Sequence, residues 1–318
     1  IRRPPRSTQG VSSAASDVYK RQEQDKLMER DYWYSSTRDY DNLEAADHIG
    51  EKAATRVISR LGAKTIKTRV CPVLFSPEMT SSLVSSFLSA INGSSIYKKS
   101  SFLIDKINQK IFPDFVNITE DPTLSNGSAT RPYDSEGVLT QKKDIIENGI
   151  LKTYLLDTYA ARKLKSKCTG NGVLTNILVS SKEPVSNLLK TMKDGLYITD
   201  MMGSGANLLT GDYSRGAFGY LVKDGEIQYP VTEITVASNL LQMFENIISI
   251  GDDIDIVLDD TSPTIVVSSG HLVTIDSDEL DQVQIKVTMT DDHGLNSDPL
   301  TMNWNYVRQG RIVENSQG

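Results

Sequence analysis

An α+β fold, a curved or barrel-like antiparallel sheet with flanking helices, is what this sequence predicts. Three observations carry the prediction. Two early stretches, residues 41–62 and 76–91, repeat their apolar residues at helical spacing. From residue 100 the pattern turns to short apolar runs separated by Asn-Gly, Asp-Gly and other glycine-rich turns. A last helical pattern, SNLLQMFENIISIGDD, follows strands dense in glycine.

In the first helix Asp41 or Asn42 supplies the cap and Glu44 stands in the first turn. Leu43, Ala46, Ile49, Ala53, Val57 and Leu61 form the apolar stripe, and Gly62 ends it. His48 falls beside Glu44, Glu51 and Lys52 on the polar side and reads as a solvated surface residue. CPVLF is a short strand. Ser76 then caps the second helix, with Pro77 at its first position and Glu78 in the first turn. There the helix dipole favours an acid by about 0.3–1 kcal/mol. Met79, Leu83, Val84, Phe87, Leu88 and Ile91 make its buried face, and INGSS is its stop. IFPDFVNITED and GILKTYLLDTYAARKL are apolar segments on either side of a turn-rich connection. ENGIL and KDGEIQYPV each signal a hairpin, and PVSNLLKTMKDG a short helix stopped by Gly195.

The chain has 318 residues and a net charge of −7, enough for one large domain or two ordinary ones. The charge is uneven: about +4 over residues 1–22 and −7 over 256–318, leaving −4 between them. Mild acidity gives no support for nucleic-acid binding, and no run of about 18 apolar residues spans a membrane. Cys71 and Cys168 fit a reducing compartment better than a disulfide framework.

Both ends differ from the middle. IRRPPRSTQGVSSAASDVYKRQ lacks the apolar core of a secretory signal. A transit peptide fits its Arg- and Ser-rich composition, but SSAASDVYKRQ resembles the translation of a transposase-type sequencing adapter. Residues 1–22 are accordingly expected to be disordered and are set aside. Residues 256–318 alternate in DQVQIKVTMTDD and LTMNWNYV, resembling part of an extracellular immunoglobulin- or cadherin-like repeat, either a true fusion or a foreign fragment. Asp259, Asp260, Asp276, Asp278, Asp291 and Asp292 in this tail hint at calcium, though solvated turn acids are the simpler reading. The tail also suggests an alternative function, an extracellular adhesin-type binding module.

Chemistry is sparse. The three histidines are His48, His271 and His293, so none lies between residues 49 and 270. No HExxH, GxSxG or GxxxxGK[ST] occurs. GSGANLLTG fails as a dinucleotide loop because Leu208 stands at its third glycine position. Asp134 and Glu136 could pair as glycosidase acids, but acids in turns are more often structural.

YDSEGVLTQKKDIIENGILKTYLLDTYAARKL, MGSGANLLTGDYSRGAFGYLVKDGEIQYPVTEITVASNL and NIISIGDDID closely resemble the TldD/PmbA family, on its PmbA (TldE) branch. The resemblance makes 23–65 the end of the family's middle domain and 66–255 its C-terminal domain. It implies a cytoplasmic peptidase of two related subunits acting on short or unfolded peptides. A TldD-like partner would supply zinc through an H-E-x-x-x-H motif, and this chain would hold no cofactor and be inactive alone. Family members are also called modulators of DNA gyrase, an indirect effect that implies no nucleic-acid contact, and no membrane is expected. Laid on that motif, Pro77 stands at the first histidine, Glu78 at the glutamate and Ser82 at the second histidine. Proline offers zinc no donor and a hydroxyl is a poor substitute for imidazole, so no catalytic or metal residue is assigned here. Asp212, Tyr213, Ser214, Arg215 and Gly216 are the candidate peptide or partner contacts, with a tight structural hairpin as the competing reading.

Overall fold

The computed structural model describes residues 13–22, 28–37, 40–125, 127–180, 183–203, 205–252, 255–257, 260–262, 265–274, 285–288, 301–307 and 311–314, the first and the last six of these as backbone only. Strands β1 (Ser13–Gln22) and β2 (Met28–Thr37) precede helix α1 (Ala46–Arg60), strand β3 (Arg69–Phe75), helix α2 (Pro77–Ala90) and the short helix α3 (Gly93–Tyr97). Next come β4 (Ile118–Asp121), β5 (Lys143–Glu147), β6 (Ile150–Leu151), α4 (Thr158–Lys163), β7 (Asn176–Val179) and α5 (Val185–Met192). Three long strands follow, β8 (Gly195–Met202), β9 (Asp212–Lys223) and β10 (Glu226–Asn239), then α6 (Leu240–Glu245) and β11 (Ile247–Ile250). Short strands β12 (Asp255–Val257) and β13 (Asp260–Ser262) lead to β14 (Ile265–Thr274), β15 (Ile285–Thr288), β16 (Thr301–Val307) and β17 (Arg311–Glu314).

The principal sheet has the order β10-β9-β8-β3-β14-β11, and the second the order β12-β13-β7-β4-β5-β6. β14 lies between β3 on one side and both β10 and β11 on the other, which curves the principal sheet back toward β10. The α+β class and the curvature agree with the sequence reading. The expectation of a wholly antiparallel sheet does not hold, because β3 runs parallel to β8 and β13 parallel to β7.

The two hairpin signals form as read. Asn148 and Gly149 (φ 48° and 77°) join β5 to β6, and Asp224 and Gly225 (54° and 78°) join β9 to β10. These are the left-handed values that a two-residue turn of the right twist demands. At Gly149 an added Cβ would also fall 2.2 Å from the Phe112 carbonyl oxygen.

Several elements differ from expectation. The backbone of residues 13–22, expected to be disordered, pairs along its whole length with β2, from Ser13↔Thr37 to Gln22↔Met28. α1 begins at Ala46, with a separate 3-10 turn at Tyr40–Asn42, so neither Asp41 nor Asn42 caps it. Ser76 occupies the N-cap of α2 but makes no side-chain cap bond. Gly195 opens β8 instead of stopping α5, where its missing side chain leaves room for the Pro72 carbonyl oxygen. Ile247–Ile250 is a strand, not the end of a helix, because β14 offers it a pairing edge. β14 itself belongs to the principal sheet, so the domain runs past the boundary at residue 255 read from the sequence.

One apolar cluster joins both sheets to α2. Leu83, Val84, Phe87 and Leu88 give α2 its buried face at helical spacing. Phe87 is fully buried, edge-on to Phe112 at 5.2 Å and to Phe244 at 5.8 Å. Burying a side chain of this size stabilises by roughly 1.5–3 kcal/mol, so α2 is anchored from within and its serine-rich opposite face is held in place.

The second sheet carries its own buried charge. Glu120, 1% exposed, accepts from Lys143 Nζ at 2.8 Å, from Asn171 and from Thr175. Next to it, hydrogen bonding from Lys142 holds the Asp121 carboxyl at about 2, below its ordinary 3.8, with Thr123 reinforcing the shift. A depressed carboxyl contributes stability that is complete above pH of roughly 4 and disappears as pH falls through about 2. Urea midpoints of the wild-type chain and Asp121→Asn should therefore differ most above pH 4 and converge toward pH 2. A gap that stays constant over that range would contradict this assignment.

Candidate functional site

The first turn of α2 meets α1 and β2 through charge. Glu78 accepts both Arg56 terminal nitrogens, at 3.0 Å on Oε1 and 3.2 Å on Oε2. The same guanidinium donates its Nε to Asp31 Oδ1 at 3.2 Å. Arg60, one turn further along α1, reaches the other Asp31 oxygen at 3.1 Å and Asp200 of β8 at 2.9 Å. Asp31 is 7% exposed, so these bonds work where water screens little. Burial pulls the Arg56 guanidinium down, but Glu78 and Asp31 outweigh it and raise its pKa on balance. Arg60 is raised in the same way, with Asp200 the leading partner against burial. Glu78 is thus fully engaged as an ion-pair partner, beyond the helix-dipole role read from sequence.

One turn along α2, Ser82 Oγ accepts from Arg215 Nη1 at 2.6 Å. Arg215 also approaches the Met201 carbonyl at 3.4 Å, while its Nε is buried without a protein acceptor. A groove of about 320 Å³ opens here between the serine face of α2 and residues 205–208, with Arg215 in its wall.

The structure brings Glu78, Ser82 and Arg215 onto α2 and its neighbouring strand but divides the other candidates. The period of β9 puts Asp212 and Ser214 on its exposed side and Tyr213 inside. Tyr213 is 2% exposed and its hydroxyl donates to Met201 Sδ at 3.0 Å. Burial, tempered by Arg215, pushes its pKa up to about 12. Tyr213 is therefore a core residue, and its assignment as a peptide or partner contact is corrected. Asp212 accepts from Thr210 within its own turn, and Gly216 faces only Met202.

Asp134 and Glu136 do not form an acid pair for catalysis. Asp134 accepts the backbone N–H groups of Glu136, Val138 and Gly172, which hold its carboxyl below the ordinary range against the opposing effect of burial. Glu136 accepts Thr158 at the start of α4. His48 is exposed and paired with Glu44 at 3.0 Å. The acids of the tail lie outside the residues whose side chains are described.

The donor set at the start of α2 does not fit a hydrolytic zinc. Pro77 has no donor, both Glu78 oxygens face a guanidinium, and Ser82 accepts from another. A dication placed there would also stand beside two fixed positive charges. Among the described residues no three His, Cys, Asp or Glu side chains converge on one point. Asp31, Arg56, Arg60 and Asp200 are the residues that sequence reasoning missed. Their one local signal is the spacing of Arg56 and Arg60, four apart on one helix face.

Residues 68–274 match the family described as PmbA/TldA metallopeptidase C-terminal domain, and the chain belongs to that family, on the PmbA side. It is similar to a Metalloprotease PmbA homolog of Haemophilus influenzae, 45% identical over 231 residues, covering 72% of this chain and 51% of the relative. A Metalloprotease PmbA of Escherichia coli O157:H7 is 44% identical over 230 residues, with 72% and 51% covered. A TldD homolog of Buchnera aphidicola is more distant, at 26%. Among solved structures, a modulator of DNA gyrase from Bacteroides thetaiotaomicron superposes with a TM-score of 0.79 at 29% identity, covering 83% of this chain and 60% of that one. TldE of Thermococcus kodakarensis shares the fold at a TM-score of 0.72 and 19% identity, with 82% and 63% covered. The chain spans about half the length of the curated relatives it matches. The match to residue 274 includes β14, in keeping with its place in the principal sheet.

Removing Arg56 leaves Asp31 short of a partner and Glu78 uncompensated. Arg56→Ala should cost about 2–3 kcal/mol, less than for a fully buried pair because Glu78 is partly exposed. Glu78→Ala should cost less, since Asp31 keeps both arginines. The double variant should show a coupling of roughly 1–2 kcal/mol in urea denaturation. Strict additivity of the two single losses would refute the pairing.

Proposed function

We propose that this chain serves as a non-catalytic, PmbA-type subunit of a TldD/PmbA-type metallopeptidase that degrades or processes short or unfolded peptides. A TldD-like chain is its partner and supplies the zinc, and the assembly works in the cytoplasm. The observation that carries this reading is the fate of the three motif positions. Where the family resemblance calls for two histidines and a free glutamate, this chain has Pro77, a Glu78 paired with Arg56, and a Ser82 that accepts from Arg215. Without a metal there is no activated water and no Lewis acid for a scissile carbonyl. Glu78, engaged by a guanidinium, is also badly placed to accept a proton.

The existence of both TldD-like and TldE-like relatives supports the partnership. Among the described residues no helix is long and apolar enough to cross a membrane, and the reading requires none.

The test is reconstitution. The chain is mixed with a TldD-like protein from the same source, and cleavage of an unfolded peptide is followed by mass spectrometry. The chain alone should leave the peptide intact, and the mixture should cleave faster than the partner alone. If the chain alters neither the activity nor the sedimentation of the partner, the proposed role fails.

A further inference from the structure

We infer that the groove between α2 and residues 205–208 is a carboxylate site that captures the C-terminal end of a peptide, with Arg215 as its anion-binding group. Arg56 and Arg60 meet carboxylates at 2.9–3.2 Å. Arg215, half-buried like them, meets the Ser82 hydroxyl, the Met201 carbonyl and the Tyr213 hydroxyl, all neutral groups. A guanidinium has five N–H donors. The buried Nε–H has no acceptor, and among the described residues no carboxylate pairs with the group, so it holds its charge in a partly desolvated place. Such a charge is costly unless a counter-charge completes it.

The groove is built to present that cation. Gly205 crosses β9 so closely that a Cβ would fall on the Ser214 carbonyl oxygen, with the Arg215 stem 2.7 Å away. Only glycine lets the chain press on the arginine and fix its direction. Ser82 and Ser86 offer hydroxyls from one wall, and half-buried Ala206 and Leu208 offer an apolar surface from the other. At about 320 Å³ the space lies within the range of small-ligand sites, roughly 300–1,000 Å³.

The chemistry selects a carboxylate. Its single negative charge matches one guanidinium, and its two oxygens suit the planar fork. A phosphate carries about two charges near neutrality and would be left underpaired. The apolar wall beside the cation suits the side chain of a terminal residue. The choice of a peptide terminus as the source of the carboxylate rests on the peptide-processing role proposed above.

The experiment is calorimetric titration of the chain alone with Ala-Ala-Ala-Leu as free acid and as C-terminal amide. The free acid should bind in the millimolar range or tighter, and the amide at least tenfold more weakly. Arg215→Lys should retain part of the preference and Arg215→Met none, with circular dichroism unchanged. If Arg215→Met fails to fold, the acid and amide pair on the wild-type chain decides the matter. Equal binding of acid and amide, binding of neither, or equal binding of acetyl-Ala-Glu-Ala-amide would overturn the inference. So would displacement by inorganic phosphate at equimolar concentration. The titration needs no partner, so a failed reconstitution with intact carboxylate binding refutes the subunit role alone, and the reverse result refutes this site alone.

Discussion

The bonds of Arg56 to Glu78 and Asp31 are the constraint on which the arrangement of this molecule turns. One guanidinium joins β2, α1 and the first turn of α2, and Arg60 extends the contact to Asp200 on β8. Two cations face four carboxylates, Glu29 joining Asp31, Glu78 and Asp200, and the buried Asp31 is bonded to both guanidinium groups. Charge-assisted bonds of this kind are about twice as strong as neutral ones. They tie the segment before residue 65 to the sheet that follows it.

The same constraint decides what α2 can do. Its apolar face is fixed by Phe87 and its neighbours, and its first turn by Arg56. The remaining face, rich in serine, looks toward Arg215. A position that could have exposed a glutamate for proton transfer instead holds it in an ion pair. The side chain that meets Ser82 is a cation, which repels a metal and attracts an anion. The helix keeps its place in the fold, and the charges around it favour an anion over a metal ion.

Much of the fold was legible in the residues. Asn148-Gly149 and Asp224-Gly225 specify their turns because few other residues accept positive φ at both positions. The apolar spacing of α2 told its buried face correctly. Two of the failures share one cause, a partner remote in sequence. An apolar run such as IISI has no period that separates strand from helix, and β14 decides the matter. The strand at residues 13–22 likewise depends on β2, which composition does not reveal. Within the site, Pro77, Glu78, Ser82 and Arg215 were singled out from the sequence, whereas Asp31, Arg56, Arg60 and Asp200 were not. Arg56 and Asp31 lie 25 residues apart and Arg60 and Asp200 140 apart, so no local pattern announces them. Tyr213 was misjudged because one residue along a strand reverses the face it occupies.

Zinc titration of the purified chain, followed by calorimetry and checked by elemental analysis after dialysis, bears most directly on the claim that guanidinium groups have taken the place of a metal at α2. The account predicts no stoichiometric uptake at neutral pH, and the same result for Glu78→Gln. One equivalent of zinc retained per chain, and lost in Glu78→Gln, would contradict it.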